Sequence, residues 1–273
     1  MQKNFLSGDG VKINYEVSGP KRAKRSLVFI HGLGGCLKAF EPILPALEKY
    51  RYKIINIDLR SHGQSTRPPH SFQYQIDYFI QDIIGVLQQE KAKEVTLVGH
   101  CFGGILALLL SSRQPELIKS LVLINSSYKA PNFSSLVYNY FPLKGIIFFL
   151  LKFFPNIYIK RYPAYEKYER SGDFNVMRIG SDILHTSPRS YLYLTREIAN
   201  LDFDRELSKI KQNVLLIHGD RDHIFNLQST FELKNKLKNS KLEVIEGANH
   251  LIVLGQRQKL LQIIEENIKQ KFI

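Results

Sequence analysis

Apolar and polar positions along the chain follow two rhythms that take turns. Val11–Val17 alternates apolar with polar residues, the period of a half-buried strand. Ser26–Ile30 is a short, nearly continuous apolar run that stops at His31-Gly32, the pattern of a strand covered on both faces. Lys53–Leu59, Val95–Val98, Leu121–Ile124, Asn213–Ile217 and Lys241–Ile245 predict further strands. Between them the spacing turns helical: over Phe40–Tyr50, over Phe72–Glu90 (with Ile76, Phe79, Ile80, Ile83, Ile84 and Leu87 at helical intervals), and over Gly104–Ser112, Ser229–Leu237 and Arg257–Ile268. Repeated strand–helix units predict an α/β fold with a mostly parallel sheet and helices on both faces.

The alternation stops between Ser126 and Arg205. This stretch is rich in Tyr and Phe and is punctuated by Pro131, Pro142, Pro155, Pro163 and Pro188, so it reads as several short helices. A structureless loop of that length is improbable, and an insertion between two sheet strands reads as a helical cap. The predicted organisation is a core of residues 1–125 and 206–273 with a cap over 126–205. Inside the cap, Phe141, Ile146–Leu151, Phe153 and Phe154 make a helix apolar around its whole circumference, which is normally buried. It serves either as the interface between cap and sheet or, in addition, as a pocket for an apolar acyl chain or aromatic group. A third reading is transient contact with a membrane surface, since Lys144, Lys152, Lys160 and Arg161 flank the run.

Composition narrows the class. The 273 residues are 44% hydrophobic and 23% charged, ordinary for a globular protein. Gly145–Leu151, the most apolar run, is far shorter than the roughly 20 residues a membrane-spanning helix needs. The N-terminus lacks the apolar core of a signal peptide, so a cytoplasmic location is expected. A net charge of +13 raises the question of nucleic acid. The lysines are spread along predicted helix exteriors and the tail, and no nucleic-acid-binding signature accompanies them. The two cysteines, Cys36 and Cys101, are too few for a disulfide framework. His62, His70, His185, His218 and His223 have no metal-ligand spacing, so no metal is expected. His31 and His100, at strand ends, are expected to orient loops.

The chemistry is concentrated in four motifs, each after a predicted strand. Gly99-His100-Cys101-Phe102-Gly103-Gly104, between a strand and a helix, has the form Gly-x-nucleophile-x-Gly of a nucleophile elbow. Such a turn holds its central residue in a strained conformation, needs small neighbours, and points the helix's first N–H groups at the reaction centre. His31-Gly32-Leu33-Gly34-Gly35 is a loop able to offer a backbone N–H to a developing oxyanion. Leu33 and Phe102, the residue after the nucleophile, are the candidate donors. His218-Gly219-Asp220-Arg221-Asp222-His223 and Gly247-Ala248-Asn249-His250 follow late strands, at the carboxyl ends where open α/β sheets bind ligands.

Together these motifs resemble the α/β-hydrolase superfamily, in its capped esterase, lactonase and peroxidase-like branch, over nearly the whole chain outside the cap. The resemblance implies an eight-stranded sheet with the cap inserted after the sixth strand. It assigns the triad acid to Asp222, the second Asp of Gly-Asp-x-Asp, and the base to His250. Asp58-Leu59-Arg60-Ser61-His62-Gly63-Gln64-Ser65 matches a turn that is structural in the family. Phe40 stands where many members have Trp. The departure that matters is Cys101, where most relatives have Ser.

Several readings of Cys101 remain open. It is a working nucleophile, activated by His250 and the helix N-terminus. Or it replaces the serine of a serine-type hydrolase, or it marks a member that has lost catalysis and binds a ligand. A merely buried thiol fits poorly with an elbow that exposes its central residue. Cys36 reads as a bystander. The leading expectation is a cofactor-free acyl hydrolase or acyltransferase acting on an ester, thioester or lactone with an apolar acyl or aromatic part. Its route is an acyl-Cys101 intermediate. C–C hydrolase, dehalogenase and epoxide hydrolase chemistry fit less well, the last two because they need a carboxylate at the elbow.

Overall fold

Eight strands hydrogen-bond into one sheet in the order β1-β2-β4-β3-β5-β6-β7-β8. They are β1 (Gln2–Leu6), β2 (Lys12–Ser18), β3 (Ser26–Ile30), β4 (Lys53–Ile57), β5 (Val95–His100), β6 (Ile118–Ile124), β7 (Asn213–Gly219) and β8 (Ser240–Ile245). β1 and β2 run antiparallel to their neighbours, and every later pair is parallel. The coordinates are a computed structural model, which describes residues 1–130 and 156–273. The predicted all-apolar helix around Phe141–Phe154 lies outside the described residues.

The continuous apolar runs became the central strands for the expected reason. Every residue of β3, β4 and β5 is buried, because helices cover both sheet faces. On one face, α2 (Ile76–Gln89) turns Phe79, Ile80, Ile83, Val86 and Leu87 inward. α3 (Phe102–Arg113) is buried from Phe102 to Ser112, as its lack of any polar face requires. The other cluster joins Leu27, Phe29 and Ile54 to Leu260, Ile263 and Ile264 of α8 (Arg257–Lys269).

One local expectation is corrected, and one strand had not been expected. Phe40–Tyr50 is not one helix: it is a chain of 3₁₀ turns around a four-residue α1 (Leu44–Leu47). Pro42 and Pro45 remove backbone N–H donors and break the helical ladder. β1 had no clear signal, since Gln2, Lys3 and Asn4 lead into Phe5. It is an edge strand whose anchor is Phe5, whose ring fills the space where a side chain on Gly85 of α2 would stand, within 2.1 Å of a Cβ built there.

The turn after β4 is a polar knot. Arg60, fully buried, donates to both carboxylate oxygens of Asp82 at 2.6 and 2.7 Å and to Asp9 at 3.0 Å. Asp58 accepts from the Leu37 and Gln64 N–H groups, from Asn14 and from the Tyr162 hydroxyl. Between β6 and β7 the described residues form a 3₁₀ turn (Tyr165–Tyr168), α4 (Val176–Thr186) and α5 (Pro188–Ala199). α6 (Leu227–Lys236) separates β7 from β8, and the short α7 (Ile252–Gly255) precedes α8. Among the described residues no helix is long and apolar enough to cross a membrane.

Close packing of α3 on β3 yields a stability prediction. A Cβ on Gly103 would stand 2.1 Å from the Ile30 carbonyl oxygen, and the backbone there cannot yield cheaply. Gly103→Ala should lower the unfolding free energy by about 2 kcal/mol or more. Gly180, inside α4 with open space around it, should instead gain about 0.5–1 kcal/mol as Ala. Urea unfolding of the two variants checks both signs.

Candidate active site

Cys101 sits at the junction of β5 and α3 with φ 52° and ψ −116°, a backbone region that side-chain-bearing residues rarely occupy. Crowding explains the flanking glycines. A Cβ on Gly99 would lie 2.4 Å from the Gly103 carbonyl oxygen, and one on Gly32 would lie 2.9 Å from the Cys101 Cβ. The conformation is held by its own hydrogen bonds. The Cys101 N–H donates to the Ile124 carbonyl at 3.0 Å, and its carbonyl accepts from the Gly104 and Ile105 N–H groups and from the Ser126 hydroxyl at 2.9 Å. Such a residue costs about 1–3 kcal/mol, which its surroundings must over-determine.

Asp222 and His250 meet across the ends of β7 and β8. Asp222 Oδ1 accepts from the Ile224 and Phe225 N–H groups at 2.7 and 3.0 Å, leaving Oδ2 to take His250 Nδ1–H at 2.9 Å. That bond fixes the tautomer and turns His250 Nε2 toward Cys101. Burial works against the Asp222 carboxylate, but His250 and the backbone donors outweigh it and hold its pKa below the usual value. Burial also disfavours the His250 imidazolium. The Cys101 sulfur and the Asp222 carboxylate outweigh that cost, raising its pKa to about 10. Asp220, the other acid of the motif, is exposed.

The remaining buried histidines near the site are held neutral. His31 and His62 accept the Leu59 and Gly34 N–H groups at Nε2, at 3.0 and 3.1 Å. Each therefore carries its proton on Nδ1 and gives it to a backbone carbonyl. Burial pulls the His31 pKa down to about 4 and that of His62 well below its ordinary value. The pair clamps the Gly32–Gly35 loop, in which Gly34 has φ 76°. Leu33 lines the same pocket as Cys101 and His250. The Phe102 ring packs edge-on against Phe79, 5.4 Å between centroids, while its N–H opens α3. His100 stands beside His250 and donates Nε2–H to the His250 carbonyl at 2.9 Å. Burial, with the neighbouring His250, lowers its pKa to about 3.

Three contributors had no motif to announce them. Asn125, with φ 42° at the end of β6, donates to the Asn249 and His250 carbonyls at 3.0 Å and accepts the Gly219 N–H at 2.9 Å. A polar residue just past a buried strand was the available signal. Arg178 and Asp182, one helical turn apart on α4, form an ion pair in the wall of the pocket, which apolar Leu251, Val253 and Leu254 also line. Burial raises the Asp182 pKa to about 7 despite Arg178. Nothing in the α4 sequence marked either residue for the site. Among the described residues no three His, Cys, Asp or Glu side chains gather into a metal site.

A family model described as alpha/beta hydrolase fold matches residues 25–255. The chain belongs to the α/β-hydrolase fold family. Its relatives include an uncharacterised hydrolase of Bacillus subtilis (strain 168), 28% identical with 96% of each chain covered. A 2-hydroxy-6-oxo-2,4-heptadienoate hydrolase of Pseudomonas putida is 23% identical, covering 94% of this chain and 92% of the relative. Among solved structures, the enol-lactonase of Burkholderia xenovorans LB400 has a TM-score of 0.74 at 18% identity, covering 98% of this chain and all of the other (100%). The esterase of Exiguobacterium antarcticum has a TM-score of 0.75 at 21% identity, with the same coverage. These two share the fold. The hydrolase names of the full-length relatives support a hydrolase of this family.

The electrostatics give a pH prediction. The His250 pKa lies above its unfolded value of about 6.5, so its contribution to stability is complete below that pH and is lost as pH rises through about 10. Nitrogen-15 NMR of the ring should show it protonated at neutrality in the unmodified protein. In Cys101→Ala, which removes the largest favourable neighbour, the midpoint should fall. Identical midpoints would mean that the sulfur does not hold the proton on His250.

Proposed function

We propose that the chain is a cofactor-free acyl hydrolase or acyltransferase that acts on an ester, thioester or lactone through Cys101, His250 and Asp222. The observation that carries this reading is the shared pocket of Cys101 and His250, with the His250 ring oriented by Asp222 at 2.9 Å. The raised His250 pKa favours a thiolate–imidazolium pair, the form in which sulfur is a nucleophile. The thiolate attacks the acyl carbon, forming a C–S bond, while the carbonyl oxygen takes the electron pair beside the N–H groups of Leu33 and Phe102. Collapse of that oxyanion breaks the bond to the leaving group, which receives the proton from His250.

Acylation then changes the base. Once the sulfur is a neutral thioester, the charge that held the proton on His250 has gone, and its pKa falls. Neutral His250 takes a proton from water, or from an acceptor alcohol or thiol, which attacks the thioester and releases Cys101. Asp222 keeps the imidazole in one tautomer through both halves.

The substrate side of the reading is an acyl or aromatic group of apolar character, supported by Leu33, Leu251, Val253 and Leu254 along the pocket. Residues 126–205 act as a cap, a role supported by Tyr165, Arg178 and Asp182, which line the pocket from that segment. The Arg178–Asp182 wall asks for a polar group on one side of the substrate.

Thiol reactivity tests the nucleophile. Burial pushes the Cys36 thiol far up, so alkylation near about pH 6 should mark Cys101 much faster than Cys36, and His250→Ala should erase the difference. Slow, equal labelling of both would sink the activated thiol. On a short-chain aryl ester and its thioester analogue, Cys101→Ala should be inactive and Cys101→Ser slower than the parent protein. A faster Ser variant would instead mark a serine-type site carrying a foreign sulfur. Intact mass after exposure to activated esters should show an acyl adduct at Cys101.

A further inference from the structure

We propose that Asp173, on the segment between β6 and β7, is a positioning residue that sets the place of His250 and thereby ties the base to the insertion. The inference rests on the reading that His250 activates Cys101. Its own basis is separate: one buried carboxylate reaches both loops of the Asp222–His250 pair. The Asp173 side chain is fully buried (0% exposed). Its Oδ1 accepts the His250 backbone N–H at 2.8 Å. Its Oδ2 accepts the backbone N–H of His223, the neighbour of Asp222, at 2.9 Å and faces His223 Nδ1 at 3.1 Å.

His250 lies on an irregular loop, so its peptide has no strand or helix ladder to fix it. The sheet holds one side: His100 and Asn125 donate to the His250 carbonyl. Asp173 holds the other, through the N–H. The same short stretch makes a second bond in the same direction, Asn249 Nδ2 to the Ser171 carbonyl at 2.9 Å. Asp173 is in turn anchored to the pocket wall. Its carbonyl accepts from Arg178 at 2.7 Å, Arg178 pairs with Asp182, and Asp182 packs against Gly34, where a Cβ would lie 2.8 Å from its own. A continuous strap thus runs from the loop of the base to the loop of Leu33.

A carboxylate is suited to this place because it offers acceptors on both oxygens at once, and the geometry requires both. An amide of the same shape keeps one acceptor and presents an N–H group to the other loop. Asp173→Asn should therefore loosen one loop, and Asp173→Ala both.

The experiment is the rate of Cys101 alkylation by iodoacetamide, followed by intact mass from mildly acid to mildly alkaline pH, in the unmodified protein, Asp173→Ala, Asp173→Asn and His250→Ala. Circular dichroism of each verifies folding. The expected result is an acid-side rate at least about tenfold lower in Asp173→Ala, with its pH profile flattened toward that of His250→Ala, and an intermediate Asp173→Asn. Nitrogen-15 NMR of His250 in Asp173→Asn should show a lowered midpoint, which a merely structural clamp would leave in place, and this measurement stands if Asp173→Ala does not fold. Unchanged profiles and midpoint in the Asp173 variants, alongside a flattened His250→Ala, overturn the role of Asp173 and leave the thiol reading intact. A His250→Ala profile equal to that of the unmodified protein overturns both.

Discussion

A residue with a side chain is held at φ 52° where β5 gives way to α3, and the rest of the site is arranged around keeping it there. The turn brings the strand before Cys101 and the helix after it so close that Gly99 has no room for a Cβ, and the first turn of that helix is packed so tightly that Gly104 meets the Ser126 side chain. This contact also fixes β3 against α3, since the Ile30 and His31 carbonyls are what a side chain on Gly103 would strike. The loop His31–Gly35 therefore leaves β3 at a defined height beside Cys101. A wider junction would relax the cysteine and would also let Gly32 move away from the Cys101 side chain.

Charge is confined in the same economical way. Five buried histidines surround the site, and only His250 gains a carboxylate partner. His31, His62, His100 and His218 have lowered pKa values, with burial the leading cause in each. Kept neutral, His31, His62 and His100 serve as rigid connectors whose ring nitrogens meet backbone groups. Neutral connectors matter electrostatically, because a second imidazolium beside His250 would disfavour the charged form of that ring. On the proposed mechanism, proton transfer would be limited to one ring with one orienting acid.

Much of this was legible in the sequence, for reasons that differ by residue. β3, β4 and β5 were visible because strands buried on both faces must be apolar throughout, and the elbow because only glycine fits beside a turn so tight. Asp222 and His250 came from the family pattern. Phe40–Tyr50 misled because its apolar spacing suits a helix while Pro42 and Pro45 forbid a long one. β1 was silent because an edge strand has half its ladder free and needs few apolar residues. Asp173, Arg178, Asp182 and Asn125 were not found because their roles depend on contacts between segments far apart in the chain. An isolated Asp in a polar stretch looks the same whether it faces water or a buried N–H.

The division of labour between sheet and insertion follows from where hydrogen-bonding groups run out. Parallel strands end at one edge with their carbonyls and N–H groups unpaired, so residues just past that edge must find partners elsewhere. At the end of β5 and just past β6, His100 and Asn125 supply donors, and donors satisfy carbonyls: those of Asn249 and His250. An N–H there needs an acceptor, and the sheet edge beside His250 is crowded with donors. A carboxylate brought in from outside the sheet meets that need, and Asp173 arrives on the segment that also carries the pocket's charged wall. A segment that lines the pocket and also completes the hydrogen bonding of the His250 peptide cannot shift without moving His250. On the proposed mechanism, substrate fit and the geometry of proton transfer would then be set by one body of the protein.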